Sequence, residues 1–429
     1  MNFTISQKSI KDFNSCLRTT QSIYENSDRG SKIFVKFVDN TMYTIISGNG
    51  NFVKFKTAVE NMKLDKNESP YLAIDLQIFS NLLNKASQVD VNNSVLVDVK
   101  GTKVNLRNQN SVYSFQTIGN YEEDDFVDEF SLRERNFSNT FDTAETIKIN
   151  AEIIDFINIA YKSIKLIGKL SVASGIIIQN DLLKFSDKEL SIVSKKMSEK
   201  TSDVEKYLPQ NIFPTLTSMY SLIGEFDIKL AMLSEHEKYI SITTNDDYEF
   251  DMILPVPFVA CMFPTEEEWA GISAEDRLKY SFKINRNDLL TALKRFEGVF
   301  PSATWGFKQI YFGMAKNSDE LELSFNDMRT EVIDTVKVSN AVFNVDESKN
   351  DGETDSDYEE RISRYNYLKC VVSTFSLSGY LEKLCSAENI LVEVSPEAPD
   401  VDSHGIALCL YSEKDGVRIA LAKMLESCI

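Results

Sequence analysis

Three stretches decide how this chain is read: "NFTISQKSIKDF" at 2–13, "TIKINAEIIDFI" at 146–157 and "YSFKINRNDLLTAL" at 280–293. Each begins with alternating polar and apolar residues, the period of a half-buried strand. Each then offers a polar residue and continues with apolar residues three and four apart, the period of a helix with one buried stripe. Aligning Ile5, Ile149 and Ile284 brings Ile10, Ile154 and Leu289 together five residues later. Repeats this far apart are domains rather than turns of a solenoid.

A second helical pattern recurs at similar depth in "YLAIDLQIFSNLLNKAS" (71–87), "KYLPQNIFPTLTSMYSL" (206–222) and "VVSTFSLSGYLEKLCSA" (371–387). In these, Ile74, Leu208 and Phe375 are each followed five residues on by an aromatic: Phe79, Phe213 and Tyr380. Period-two runs such as "SVLVDVKGTKVNLRNQNSVYSFQTI" (94–118) follow each second helix, and similar runs fill the space between helices. The predicted fold is α+β, with three copies of one domain at 1–135, 140–270 and 277–429. Each copy has two helices on antiparallel strands. The third copy is lengthened by an acidic insert at 345–360, expected to be a solvated loop.

The formal net charge is -19 over 429 residues. Most of the excess lies in "YEEDDFVDEF" (121–130), "PTEEEWAGISAED" (264–276) and "VDESKNDGETDSDYEE" (345–360), expected as linkers and loops. Between them the chain is nearly neutral, so net acidity does not exclude a polyanionic partner; local charge decides that. The helical stretch "INAEIIDFINIAYKSIKLIGK" (149–169) sets Lys162, Lys165 and Lys169 beside the apolar stripe Ile154, Ile157, Tyr161 and Ile164. The first helix of the first copy flanks Ile10, Phe13 and Leu17 with Lys8, Lys11 and Arg18. In the third copy Lys294 and Arg295 flank Leu289, Leu293 and Phe296. A single lysine stripe is ordinarily a solvated face. Three equivalent helices that repeat it suit a surface that tracks phosphates without reading bases.

Catalytic chemistry finds no foothold. His236 and His404 are far apart, and no acid–base pair stands out. "NDGETDSDYEE" fails as a calcium loop: with Gly352 at the sixth position, Lys349 and Tyr358 occupy ligand positions. No metal or cofactor is expected. Cys16, Cys261, Cys370, Cys385, Cys409 and Cys428 form no Cys-x-x-Cys pair. With no signal peptide or apolar span visible, this points to a reducing cytoplasm and no membrane.

The three-copy organisation resembles the sliding clamps of DNA replication, most closely the β subunit of bacterial DNA polymerase III. "SVYSFQTIGNYEEDDF" (111–126) is similar to the family's close of domain one, and "SDKELSIVSKKM" (186–197) to a strand pair of domain two. The resemblance implies a non-catalytic homodimeric ring around duplex DNA that tethers a DNA polymerase and is placed by a clamp loader. It implies DNA contacts at Lys8, Lys11, Arg18, Arg29, Lys85, Lys162, Lys165, Lys169, Lys294, Arg295 and Lys383. It places a partner-peptide groove at Leu190, Ile192, Pro257, Met262, Leu421 and Met424, and a dimer interface at Phe115, Val299 and Phe300. The tail "AKMLESCI" (422–429) departs from the family's usual Met-Pro-Met-Arg ending. That departure and the acidic insert suggest a divergent, phage-encoded member. The competing expectation is a repeat-built scaffold, such as a virion component, whose lysines are only solvated.

Overall fold

The computed structural model describes residues 1–24, 32–48, 51–66, 68–88, 94–119, 121–167, 175–186, 191–200, 202–232, 238–256, 280–298, 309–326, 330–344, 347–373, 377–395 and 406–422. The chain opens with β1 (Asn2–Ile5), α1 (Gln7–Tyr24), β2 (Lys32–Val38), β3 (Thr41–Gly48) and β4 (Asn51–Ala58). A short β5 (Glu60–Lys63) follows, then β6 (Tyr71–Asp75), α2 (Leu76–Ser87), β7 (Val95–Lys100), β8 (Lys103–Arg107) and β9 (Val112–Gln116). Two short helices come next, α3 (Glu123–Phe130) and α4 (Leu132–Phe137).

The order then recurs with β10 (Thr146–Ile149), α5 (Ala151–Ile167), β11 (Gly175–Asn180), β12 (Leu182–Ser186) and β13 (Ser191–Lys196). It continues through β14 (Ser202–Pro209), α6 (Phe213–Ile223), β15 (Phe226–Met232), β16 (Lys238–Thr243) and β17 (Asp251–Val256). The third passage is β18 (Tyr280–Asn285), α7 (Arg286–Glu297), β19 (Gln309–Ala315), β20 (Glu320–Asn326) and β21 (Glu331–Phe343). After α8 (Asp355–Tyr365) come β22 (Tyr367–Ser373), α9 (Leu377–Leu384), β23 (Asn389–Val394), β24 (Ile406–Ser412) and β25 (Val417–Ala422). Apart from β5, α3, α4 and α8, each passage is two strand–helix–three-strand halves in succession.

The caps explain why the first helices begin where they do. Ser6 accepts from the Ser9 N–H at 3.1 Å, Asn150 from Ile153 at 3.1 Å, and Asn285 from Asn287 at 2.9 Å. These are the polar residues that follow the aligned isoleucines. Ile5, Ile149 and Ile284 are all buried, as are Ile10, Ile154, Leu289, Phe79, Phe213 and Tyr380. Asp75 caps α2 through the Ile78 N–H at 2.8 Å.

By its contacts the chain divides into two compact units, Met1–Ile154 with Leu208–Val259, and Asp155–Tyr207 with Ala260–Ile429. The first holds a five-stranded sheet, β5-β1-β7-β8-β9, and an eight-stranded sheet, β10-β15-β16-β17-β4-β3-β2-β6. The second holds a twelve-stranded sheet, β14-β11-β12-β13-β25-β24-β23-β18-β21-β20-β19-β22. The middle repeat is shared between them. Its β17 pairs with β4 of the first repeat, and its β13 pairs with β25 of the third. Both seams join the last strand of one repeat's first half to the last strand of the next repeat's second half.

Two expectations about the acidic tracts change. Residues 123–130 form α3 rather than a linker: Phe126 and Phe130 lie four apart on one face, and Glu123, Asp124 and Asp125 occupy the first turn, where carboxylates complement the helix dipole. The insert at 345–360 is not all loop either, because α8 begins at Asp355, with Thr354 Oγ1 accepting from the Asp357 N–H at 3.2 Å. The stretch 264–276 falls outside the described residues. Cys16, Cys370, Cys385 and Cys409 are free and buried.

The turn between β24 and β25 is held by one carboxylate. Asp415 accepts from the N–H groups of Ser386 and Ala387 at 2.7 and 3.0 Å, and from the hydroxyls of Ser386 and Ser412. The next residue, Gly416, has φ +59° and presses against Lys196 of β13, leaving no room for a Cβ. Burial works against ionisation of Asp415, but these donors outweigh it and hold the carboxyl down at about 2, against 3.8 ordinarily. A depressed acid stabilises the fold above its unfolded pKa, and that stability is lost as pH falls toward the folded value. Asp415→Asn is therefore expected to cost about 1 kcal/mol near neutrality, the figure reduced for partial exposure. Its deficit in Tm should shrink between about pH 4 and pH 2; a deficit constant over that range would contradict this role.

Candidate nucleic-acid interface

In the first unit α1 lays Ile10, Phe13 and Leu17 on the eight-stranded sheet, with the Phe13 ring 5.9 Å from Phe55 and 5.6 Å from Phe79. Lys8, Lys11 and Arg18 are exposed. At 100° per residue they fall within about 80° of one another on the helix surface. α2 runs antiparallel alongside: Gln7 Nε2 donates to Ser87 O at 2.6 Å, Asn14 Nδ2 to Asn84 Oδ1 at 2.6 Å, and Ser80 Oγ to Asn14 Oδ1 at 3.2 Å. Uncharged groups thus set the register of the pair and leave the cations unspent. Among the described residues Lys8, Lys11, Arg18 and the exposed Lys85 of α2 form no ion pair.

The equivalent pair in the second unit is held differently. α7 and α9 are also antiparallel, but Lys294 Nζ lies 3.1 Å from Glu382 Oε1 and Arg295 Nε lies 3.0 Å from Asp334 Oδ2. The hydrogen bond from Lys294 holds the Glu382 carboxyl below the usual carboxylate range. Two of the sequence-derived cations are therefore neutralised by neighbours. Lys383 stays exposed in the last turn of α9. On α5, Ile153, Ile154, Phe156, Ile157 and Ala160 are buried, whereas Asp155 and Lys162 are exposed. Lys165 lies in the same helix; Arg29 and Lys169 fall outside the described residues.

Of the groove residues, Ile192 and Leu421 are described, and Leu190, Pro257, Met262 and Met424 are not. The two lie on paired strands but one residue out of register. Ile192 is opposite Ala420 and packs with Ala420 and Cys409. Leu421 is opposite Ser191, whose Oγ is 3.2 Å from the Tyr380 hydroxyl of α9. Because side chains alternate along a strand, Ile192 and Leu421 belong to opposite faces of the sheet. The structure does not bring them together.

Of the interface residues, Phe115 is buried, its ring 6.1 Å from Phe79, while Val299 and Phe300 lie outside the described residues. Phe115 sits on β9, the last strand of the five-stranded sheet. Two residues the sequence reading missed are Val112 on β9 and Ile333 on β21, 59% and 57% exposed. Along 331–337, β21 pairs with β20 alone among the described strands. Among the described residues its 331–337 edge and the outer edge of β9 have no strand partner and are partly apolar. Period-two patterning marked β9 as a strand, but only pairing shows which edges lack a partner.

No protein-family model and no curated protein matches the sequence. Solved structures do. The DNA polymerase III subunit beta of Pseudomonas aeruginosa superposes with a TM-score of 0.64 at 11% identity, covering 99% of this chain and 100% of that one. A Helicobacter pylori beta clamp bound to a DNA ligase peptide gives 0.64 at 11% over the same shares. A sliding clamp from Bartonella birtlesii bound to griselimycin gives 0.63 at 10%, again over 99% and 100%. The fold is that of the bacterial β clamps. The structural likeness covers the whole length of the clamp fold, although about nine residues in ten differ.

Within that fold, heparin measures which cations are available. Lys8, Lys11 and Arg18 replaced together by Ala should lower the eluting salt concentration clearly, and more than Lys294 and Arg295 replaced together. Equal shifts would show that the ion pairs on α7 do not hold in solution.

Proposed function

We propose that this chain is a sliding clamp, in which two copies close head to tail around duplex DNA and tether a DNA polymerase. One observation carries the reading: among the described strands successive repeats pair at two seams by one rule, and the two strands the same rule would join next each keep an unpartnered edge. β4 meets β17 and β13 meets β25. By the same rule β21 should meet β9; among the described strands β9 has one partner and β21 has one along 331–337, and these edges carry the exposed Val112 and Ile333. A second copy of the three repeats would satisfy the rule, and reciprocally. Charge agrees. β8–β9 carries Lys103, with Arg107 paired to Asp98, and no acid, whereas β20–β21 carries Glu320, Glu322 and Glu331 against Lys337, with Asp334 paired to Arg295.

On this reading the chain has three clamp domains, at 1–135, 140–270 and 277–429. DNA contact falls mainly on the unpaired cations Lys8, Lys11, Arg18, Lys85, Lys162 and Lys383. Weak, sequence-blind phosphate contacts permit sliding, which tight base readout would stop. A clamp loader would place the ring on DNA in the cytoplasm, and no bond is made or broken by the clamp. The β13–β25 seam is where a short peptide from a polymerase or loader would dock. The ligase-peptide complex of the Helicobacter pylori clamp supports a peptide partner of this kind.

The test is topological. Loaded on nicked circular DNA with a clamp loader and ATP, the protein should be retained, then lost once the circle is cut. Equal loss from circular and linear DNA would overturn the proposal. The interface has its own check. Ile333→Asp or Val112→Asp sets a carboxylate in the new seam and should shift the sedimenting species from dimer to monomer, weakening association at least about tenfold. An unchanged dimer would place the interface elsewhere.

A further inference from the structure

We propose that the segment 121–141, comprising α3, α4 and the turn after them, is a staple fastening the first repeat to the second across the β4–β17 seam. That seam is short. Among the described residues β17 and β4 are matched over three residue pairs, Asp251–Lys54, Met252–Val53 and Ile253–Phe52, with one more backbone bond from the Lys56 N–H to the Tyr248 carbonyl at 2.8 Å, against five pairs between β13 and β25. The segment belongs to neither half of any repeat. It covers the face of the eight-stranded sheet that α1 does not: on β4, Phe55 faces Phe13 of α1, whereas Phe52 joins the cluster formed with Phe126, Phe137 and Phe141.

The attachments divide by repeat. α3 holds strands of the first. Phe126 stacks on Tyr71 at 5.2 Å and meets Phe34 edge-on at 5.7 Å, and Ser47 Oγ donates to Glu129 Oε2 at 2.5 Å. α4 and its turn hold strands of the second. Arg133 donates to Asp251 of β17 and, at 3.1 Å, to Ser241 of β16. Phe137 meets Tyr239 edge-on at 5.0 Å, and Lys229 of β15 donates to the Phe141 carbonyl at 3.3 Å.

Arg133 is the key of the staple. Its side chain is 24% exposed and that of Asp251 17%, so the pair is largely withdrawn from water, with the guanidinium 5.9 Å from the Phe141 ring. Removing one partner strands the other charge against the sheet, which costs far more than a surface pair would. Helices of eight and six residues do not hold alone in water, so α3 and α4 are ordered by the sheet they cross. The sheet gains in return. Phe34, Ile45, Phe52, Ala73 and Ile253 form an apolar face spanning both repeats that the segment keeps from solvent. None of this depends on DNA binding.

The test is hydrogen exchange by mass spectrometry on the full-length protein. In Arg133→Ala, amides of β4 and β17 should exchange at least about tenfold faster, while those of β13 and β25 keep their wild-type rates. The exchanged pair Arg133→Asp with Asp251→Arg should recover part of the protection. Acceleration confined to 121–141 would reduce the segment to a passive cover, and equal acceleration at both seams would show a global effect; either overturns the proposal. Should Arg133→Ala not fold, Ser47→Ala trims only the α3 attachment, and the same readout should show a smaller change in the same strands. No change there would equally overturn it.

Discussion

A strand at the end of a sheet presents a row of backbone N–H and C=O groups to water, ready to pair with whatever strand arrives. In this chain the repeats answer that need for one another. β17 completes the sheet of the first repeat, and β25 meets β13 of the second. The remaining architecture depends on those pairings. They build sheets of eight and twelve strands from repeats that each own fewer, and they divide the middle repeat between two compact units. Among the described strands they also leave β9 and 331–337 of β21 with one partner each.

Electrostatics follow from how neighbouring helices are registered. On α1 and α2 the register is set by asparagine, glutamine and serine, leaving the cations free. On α7 and α9 it is set partly by the ion pair of Lys294 with Glu382, and Arg295 of α7 pairs with Asp334 of β21, so both cations answer acids within the same unit. Two helices with similar sequence charge therefore differ in the charge they can offer a phosphate backbone. A count of lysines cannot distinguish them, because the difference lies in Glu382 and Asp334, residues distant in sequence from the helix they neutralise.

The acidic tract at 121–130 shows a related limit. Six acids in ten residues read as a solvated linker, yet Phe126 and Phe130 recur at helical spacing within it, and Phe137 and Phe141 continue the series. The aromatic spacing was the signal, and the charge density obscured it. Acids in the first turn of α3 favour the helix rather than oppose it. Arg133 gained its meaning from Asp251, more than a hundred residues later.

Much of the fold was legible in the sequence, since strand and helix periods, the caps Ser6, Asn150 and Asn285, and the buried positions Ile5, Ile149 and Ile284 are local properties. A local pattern fixes which face of an element is apolar and where it starts, because those depend on residues a few positions apart. It does not fix which strand lies beside which, because pairing is decided by backbone groups common to every strand. Tertiary structure alone therefore set Ile192 and Leu421 on opposite faces, left Val112 and Ile333 on open edges, and drew α3 and α4 across a seam. The sequence by itself determined three like strand–cap–helix openings, each helix carrying lysines or arginines. The folded chain decided which of those charges are free and which edges are still to be paired.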